Sequence, residues 1–212
     1  MEFDFSTMAP SQCYKLLVSV VVPRPIALVT SLSREGVVNA APFSFFNLMG
    51  DDPPILILSI ERKPDGLAKD TARNIAEQGE FVVNLVDEAT AERMHACSRD
   101  YPSHESEAAA VGFATLPSRA VAAPRIAESP VAFECVLHEK LETDSRYVFI
   151  GRIKWLAARD GLIDTQAWRV NLREYSPIAR FGASFYTRTN DRFSLSDAPQ
   201  EAPSVSTPID EI

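Results

Sequence analysis

Two segments late in the chain share a period of two. Val131, Phe133, Cys135, Leu137 and Leu141 alternate with more polar neighbours, and Tyr147, Phe149, Gly151, Ile153 and Trp155 repeat the pattern after a turn over 142–146. Successive side chains of a strand point to opposite faces, so this pattern predicts two long strands, each buried on one side and joined as an antiparallel hairpin. A two-stranded hairpin is barely stable alone, and the rest of the chain must supply strands to extend it.

The upstream sequence supplies them. Residues 25–32 (PIALVTSL) are apolar and β-branched, Ser33-Arg34-Glu35-Gly36 has turn chemistry, and 37–41 completes a hairpin. Pro53-Pro54 is barred from a central strand, but Ile55 to Ile60 is a continuous apolar run of strand length, and 80–86 (EFVVNLV) is another. Between these two, Leu67, Ala68, Thr71, Ala72, Ile75 and Ala76 fall at helical spacing, with Gly79 as the stop. Asp87 is an N-cap residue type and opens a second helix, with Ala91, Met94 and Cys97 inward. Residues 101–130 read as loop with a short helix near 105–111. Six or more strands, short helices and few long crossovers point to an antiparallel barrel or sandwich.

Composition narrows the function classes. The 212 residues carry a formal net charge of −8, which argues against general nucleic-acid binding. Half of that charge sits on Asp197, Glu201, Asp210 and Glu211, in a stretch without Lys or Arg, whereas 165–192 holds five arginines against Glu174 and Asp191. A domain over 1–192 and an acidic, Pro- and Ser-rich tail over 193–212 follow, with the tail expected to lie across the arginine-rich segment of its own or a partner chain. No apolar run approaches the roughly 20 residues of a membrane span, and no basic-then-apolar leader opens the chain, so the expectation is a cytoplasmic protein without membrane contact. Cys13, Cys97 and Cys135 are widely spaced, and His95, His104 and His138 lack ligand spacing, which argues against a disulfide framework and a metal site. None of the eight glycines stand two apart, so the glycine-rich nucleotide and phosphate loops are missing.

An ordered set of short segments carries a resemblance: Arg24-Pro25-Ile26-Ala27-Leu28-Val29-Thr30-Ser31, Asn39-Ala40-Ala41-Pro42-Phe43-Ser44-Phe45-Phe46-Asn47, Pro53-Pro54 with Ser59, and Lys69-Asp70-Thr71 with Asn74-Ile75. Together they resemble the flavin reductase family, over roughly residues 13 to 186. The resemblance implies a mainly β fold with short helices, a six-stranded antiparallel FMN-binding split β-barrel. It also implies an NAD(P)H-dependent flavin reductase that moves hydride from nicotinamide to flavin and supplies reduced flavin to a partner oxygenase. The alternatives are an FMN-bound electron carrier and a non-redox protein on the same fold, its pocket empty or holding heme.

In the family the FMN phosphate lies near the helix after the apolar strand, at positions matching Lys69, Asp70 and Thr71. A helix N-terminus with unpaired N–H groups, a cation and a hydroxyl suits a phosphate, although the same residues taken alone read as a helix cap. Asp70 is expected to accept from backbone or ribityl hydroxyls and to orient Lys69. Arg62, Lys63, Lys69 and Arg73 against Glu61, Asp65 and Asp70 leave this region neutral to basic. The resemblance places the flavin ring against Thr30, Ser31, Asn39, Ala41, Pro42, Ser44, Phe45 and Asn47, with Ser59 nearby. Small residues there let a flat ring approach main-chain N–H groups. Hydride transfer between stacked rings needs no side-chain acid, base or nucleophile, so no catalytic residue is expected. The aromatic cluster Phe43, Phe45 and Phe46 serves equally as core.

Many nicotinamide-using members carry Gly-Asp-His in the turn before the second long strand, where this chain has Asp144-Ser145-Arg146. Arg146 is thus either a surface hairpin residue or a contact for a nicotinamide phosphate, and NADH, NADPH and neither all remain open. Trp155 and Trp168 are expected in the core or an interface. Arg180-Phe181-Gly182 with Ser184-Phe185-Tyr186 resembles a family segment that lies near the flavin or the dimer partner, and a homodimer is expected to cover the apolar surface of Phe181, Phe185 and Tyr186.

Overall fold

A computed structural model describes residues 1–193, so the proposed tail and its contact with the arginine-rich segment fall, apart from Phe193, outside the described residues. A first helix, α1 (Pro10–Val20), precedes the barrel. Sequence reasoning assigned nothing there, because the β-branched residues at its end disfavour helix and only Val18 is buried.

Seven strands form the main sheet: β1 (Ala27–Leu32), β2 (Val38–Phe43), β3 (Phe46–Asp51), β4 (Pro54–Glu61), β5 (Glu80–Leu85), β6 (Val131–Glu142) and β7 (Arg146–Ala158). Their order is β2-β1-β5-β6-β7-β4-β3, antiparallel at every step. The ends of this order, β2 and β3, are separated in sequence by only Ser44 and Phe45. The sheet must therefore curl until its ends meet, and the Ser59 N–H donates to the Phe45 carbonyl at 2.8 Å along that seam.

The expected six strands become seven. The additional strand is β3, in which only Phe46 is buried, so it shows no period-two signal, and its pairing with β4 shifts register between Leu48 and Gly50. The long hairpin stands as expected, with Tyr147 opposite Glu142.

Inside the barrel Val29, Leu58, Ile60, Phe81, Cys135 and Phe149 pack with Ala72 and Ile75 of α2 (Asp70–Gln78), which closes one end. Helix α2 starts three residues later than the apolar spacing suggested, since Lys69 is extended (φ −63°, ψ 156°); it ends as expected at Gly79, which takes φ +72°. Gly151 sits where any side chain would collide, a Cβ there lying 2.5 Å from the Phe81 ring.

Outside the barrel, Ile26 and Leu28 join a second cluster with Met94 of α3 (Ala91–Ala96), Cys97 and Phe113. Strand β1 is buried on both faces, which explains why it shows no period-two alternation. Asp87 caps the turn into α3 by accepting from the Thr90 N–H at 3.2 Å, and α4 (Glu107–Ala110) is the short helix expected nearby. The irregular 101–130 stretch is tied down by acceptors on the strands. Glu80 accepts from the Ala122 N–H at 2.6 Å, Glu134 from Arg119 at 2.8 Å, and Asn84 from Ile126 at 2.8 Å. Beyond the barrel, β8 (Ile178–Gly182) pairs with β9 (Phe185–Arg188) and with Arg24–Pro25. Trp155 and Trp168 are exposed, which corrects the core half of that expectation. Among the described residues no helix is long and apolar enough to cross a membrane, and no three His, Cys, Asp or Glu side chains are gathered to hold a metal.

Candidate functional site

The seam between β2, β3 and β4 opens into a groove of about 140 Å³. The end of β2 and the closing link make one wall, from Pro42 to Phe45, while Tyr14 of α1, Ser59 and Glu61 of β4, Lys69 before α2 and Arg146 at the start of β7 make the rest. Of the residues expected to bind a cofactor, Pro42, Ser44, Phe45, Ser59 and Lys69 meet here.

The electrostatics centre on one carboxylate between two cations. Lys69 Nζ lies 2.7 Å from Glu61 Oε1, and Arg146 Nη2 lies 3.8 Å from Glu61 Oε2. The Arg146 guanidinium stacks 4.2 Å over the Phe45 ring, and its Nη1 donates to the Ser59 carbonyl at 3.4 Å. The Glu61 side chain is 51% exposed, so its ion pairs are weak and open to exchange for another anion. Helix α2 presents its N-terminus beside Lys69 with no side-chain cap, which leaves first-turn N–H groups without a side-chain acceptor.

The other expected residues are placed differently. Thr30, Ser31, Asn39 and Thr71 are buried. Asn39 Nδ2 donates to Thr71 Oγ1 at 2.8 Å, and Asn74 Nδ2 donates to Ser31 Oγ at 3.2 Å, so these side chains bolt α2 to β1 and β2. The Thr30 hydroxyl donates to the Pro124 carbonyl at 2.5 Å and accepts from Asn84 Nδ2. Ala41 is half-buried, and Asn47 is exposed with its Oδ1 accepting from the Leu48 N–H at 2.8 Å. Asp70 pairs with Arg73 at 2.6 Å and faces Lys63 at 3.9 Å. The expectation that it orients Lys69 is therefore corrected: Glu61 does so.

Sequence reasoning counted Glu61 only in the local charge balance, passed over Tyr14 and left Arg146 ambiguous. Glu61 and Arg146 are register partners across β4 and β7, so pairing the apolar run with the second long strand would have brought them together. Tyr14 projects from α1 and gave no signal.

A second cavity, of about 230 Å³, shares the wall from Pro42 to Ser44 with the groove. Ile26 and Met94 give it apolar sides, and His95, Ser98, Arg180 and Tyr186 its polar ones.

Comparison with known proteins gives the family and the fold. Residues 19–176 match the flavin reductase like domain. A protein of Aquifex aeolicus is 37% identical over 188 residues, 89% of this chain and 95% of its own. The 2-nitrobenzoate 2-nitroreductase NbaA of Pseudomonas fluorescens is 42% identical with a TM-score of 0.85, over 96% of this chain and 99% of its own. Nitrilotriacetate monooxygenase component B from Bacillus cereus is 31% identical with a TM-score of 0.87, over 92% of this chain and 98% of its own.

Proposed function

The chain belongs to the flavin reductase-like family, and from that premise we propose that it is a cytoplasmic FMN-binding oxidoreductase that takes hydride from NADH or NADPH. The observation that carries this reading is the groove in which Lys69 and Arg146 flank Glu61 at the uncapped start of α2. Two cations and open helical N–H groups form the donor set that a phosphate monoester calls for. The residues present therefore fit the cofactor. Bound flavin supplies the hydride-accepting chemistry.

The protein binds and orients. Lys69 and Arg146 exchange the Glu61 carboxylate for the FMN phosphate, and Ser44 and Ser59 offer hydroxyls beside it. The link from Pro42 to Phe45, without a long polar side chain, lets a flat ring lie against main chain. Thr30, Ser31, Asn39 and Thr71 act at one remove by holding α2 and the strands at a set distance. No acid/base pair among these residues would be needed, since the hydride-accepting chemistry would be the cofactor's own.

Reducing equivalents then pass to a partner oxygenase, a reading supported by the monooxygenase component among the similar structures. An FMN-bound electron carrier is the second reading; it is favoured by Arg146 standing in the turn where nicotinamide-using relatives are expected to have histidine. A homodimer covers the exposed Phe181 and Phe185, and a monomer by light scattering would contradict that.

The test is spectroscopic. The protein is loaded with FMN, freed of oxygen and mixed with NADH or NADPH. Bleaching of the flavin band supports the reductase reading. A protein that takes up FMN but reacts with neither nucleotide supports the carrier, and one that takes up no FMN ends both.

A further inference from the structure

The cavity behind the wall from Pro42 to Ser44 carries positive charge with nothing to balance it. Arg24 is buried, at 8% exposure, yet it donates only to neutral acceptors: the Val18 and Val21 carbonyls at 2.6 and 2.9 Å and Ser44 Oγ at 3.4 Å. Its register partner across the short sheet is Arg180, whose guanidinium donates to the Ala183 carbonyl and lies 4.7 Å from the Tyr186 ring. Among the described residues neither arginine has a carboxylate partner, and no Asp or Glu lines the cavity. Burial and the nearby Arg180 both push the Arg24 guanidinium below its ordinary value, the sign of a cation held without a counter-charge.

An unpaired charge in a half-closed site attracts an opposite one, and the two arginines make this patch locally positive although the chain as a whole is acidic. Ile26 and Met94 are the apolar part of its lining, and His95 Nδ1 and the Tyr186 hydroxyl, also in the lining, hydrogen-bond each other at 2.9 Å. The volume of about 230 Å³ is below the roughly 300–1,000 Å³ of pockets for drug-sized ligands, which limits the occupant to about one ring.

We infer that this cavity is a substrate subsite for a small carboxylate with a compact apolar body, anchored by Arg180 and polarised from behind by Arg24. Its role as a substrate subsite rests on the flavin reading, since Ser44 and its neighbours form one wall of both cavities; the preference for a carboxylate does not.

The experiment is calorimetric titration of the full chain with benzoate and with its neutral isostere benzamide, with and without FMN. The expected result is benzoate binding at least about tenfold tighter than benzamide, the range of a charge-assisted hydrogen bond. That advantage should fall with added salt. Arg180→Gln should bring benzoate to the level of benzamide, Arg180→Lys should restore part of the difference, and FMN affinity should be unchanged in both, with circular dichroism confirming the fold. Equal affinity for the two ligands, or a folded Arg180→Gln protein that still prefers benzoate, would overturn the inference. If FMN fails to bind while benzoate is still preferred, the flavin reading and the substrate role fall together and the carboxylate site stands.

Discussion

Lys69 Nζ sits 2.7 Å from Glu61 Oε1, so the cation proposed to hold a phosphate already holds a carboxylate. Glu61 then competes with the ligand. Glu61→Gln should tighten FMN binding severalfold, whereas Lys69→Ala or Arg146→Ala should each weaken it roughly tenfold, the scale of one charge-assisted hydrogen bond. Quenching of flavin fluorescence on titration measures all three.

Gly151 faces the Phe81 ring across the barrel interior, and a Cβ at that position would stand 2.5 Å from Phe81 Cζ and 3.3 Å from Cys135 Cβ. Gly151→Ala should cost about 1–3 kcal/mol, the usual penalty of overpacking. Gly79→Ala meets open space but must take φ +72°, and should cost about 1 kcal/mol. Thermal denaturation followed by circular dichroism ranks the two.

Glu107 accepts from the Ala40 N–H at 2.9 Å, and burial pushes its carboxyl above the ordinary value of 4.5. A carboxyl raised in the folded state binds more protons there than in the unfolded chain, so its contribution to stability falls as pH rises from 4.5 through the folded value. Glu107→Gln removes the charge and keeps an acceptor for Ala40. The variant should melt higher than the parent at pH 7 to 8, with the gap closing as pH drops to about 4. A gap independent of pH would contradict this.

Burial pushes the Cys97 thiol up to about 12, and Cys135 higher still. Neither forms thiolate at neutral pH, whereas Cys13 is the one cysteine that is not buried. A disulfide exchange reagent should modify one thiol in the native protein and three after denaturation. Rapid native modification of two or more would contradict the packing around Cys97 and Cys135.

Much of this architecture was legible in the residues, for reasons that also explain what was not. Strands buried on one or both faces announce themselves, as in 25–32, 55–60 and the hairpin after Val131, and Gly79 marked its helix end through a conformation few other residues adopt. Strand β3 and helix α1 bury one residue each and leave no periodic trace. At the groove, the family pattern named Lys69, Pro42, Ser44 and Phe45, which line it together. Glu61 and Arg146 are 85 positions apart in the chain, and only strand register makes them neighbours. Thr30, Ser31, Asn39 and Thr71 belong to the same pattern, yet their hydroxyls and amides are engaged within the protein, a distinction visible only once partners have coordinates.

The central claim is that the cations beside α2 receive a phosphate, and comparing FMN with riboflavin tests it most directly, since the two differ only in that group. The account predicts that FMN binds roughly tenfold to a hundredfold tighter than riboflavin, and that the difference vanishes in a Lys69→Ala, Arg146→Ala double variant. Equal affinity of the parent protein for FMN and riboflavin would contradict it.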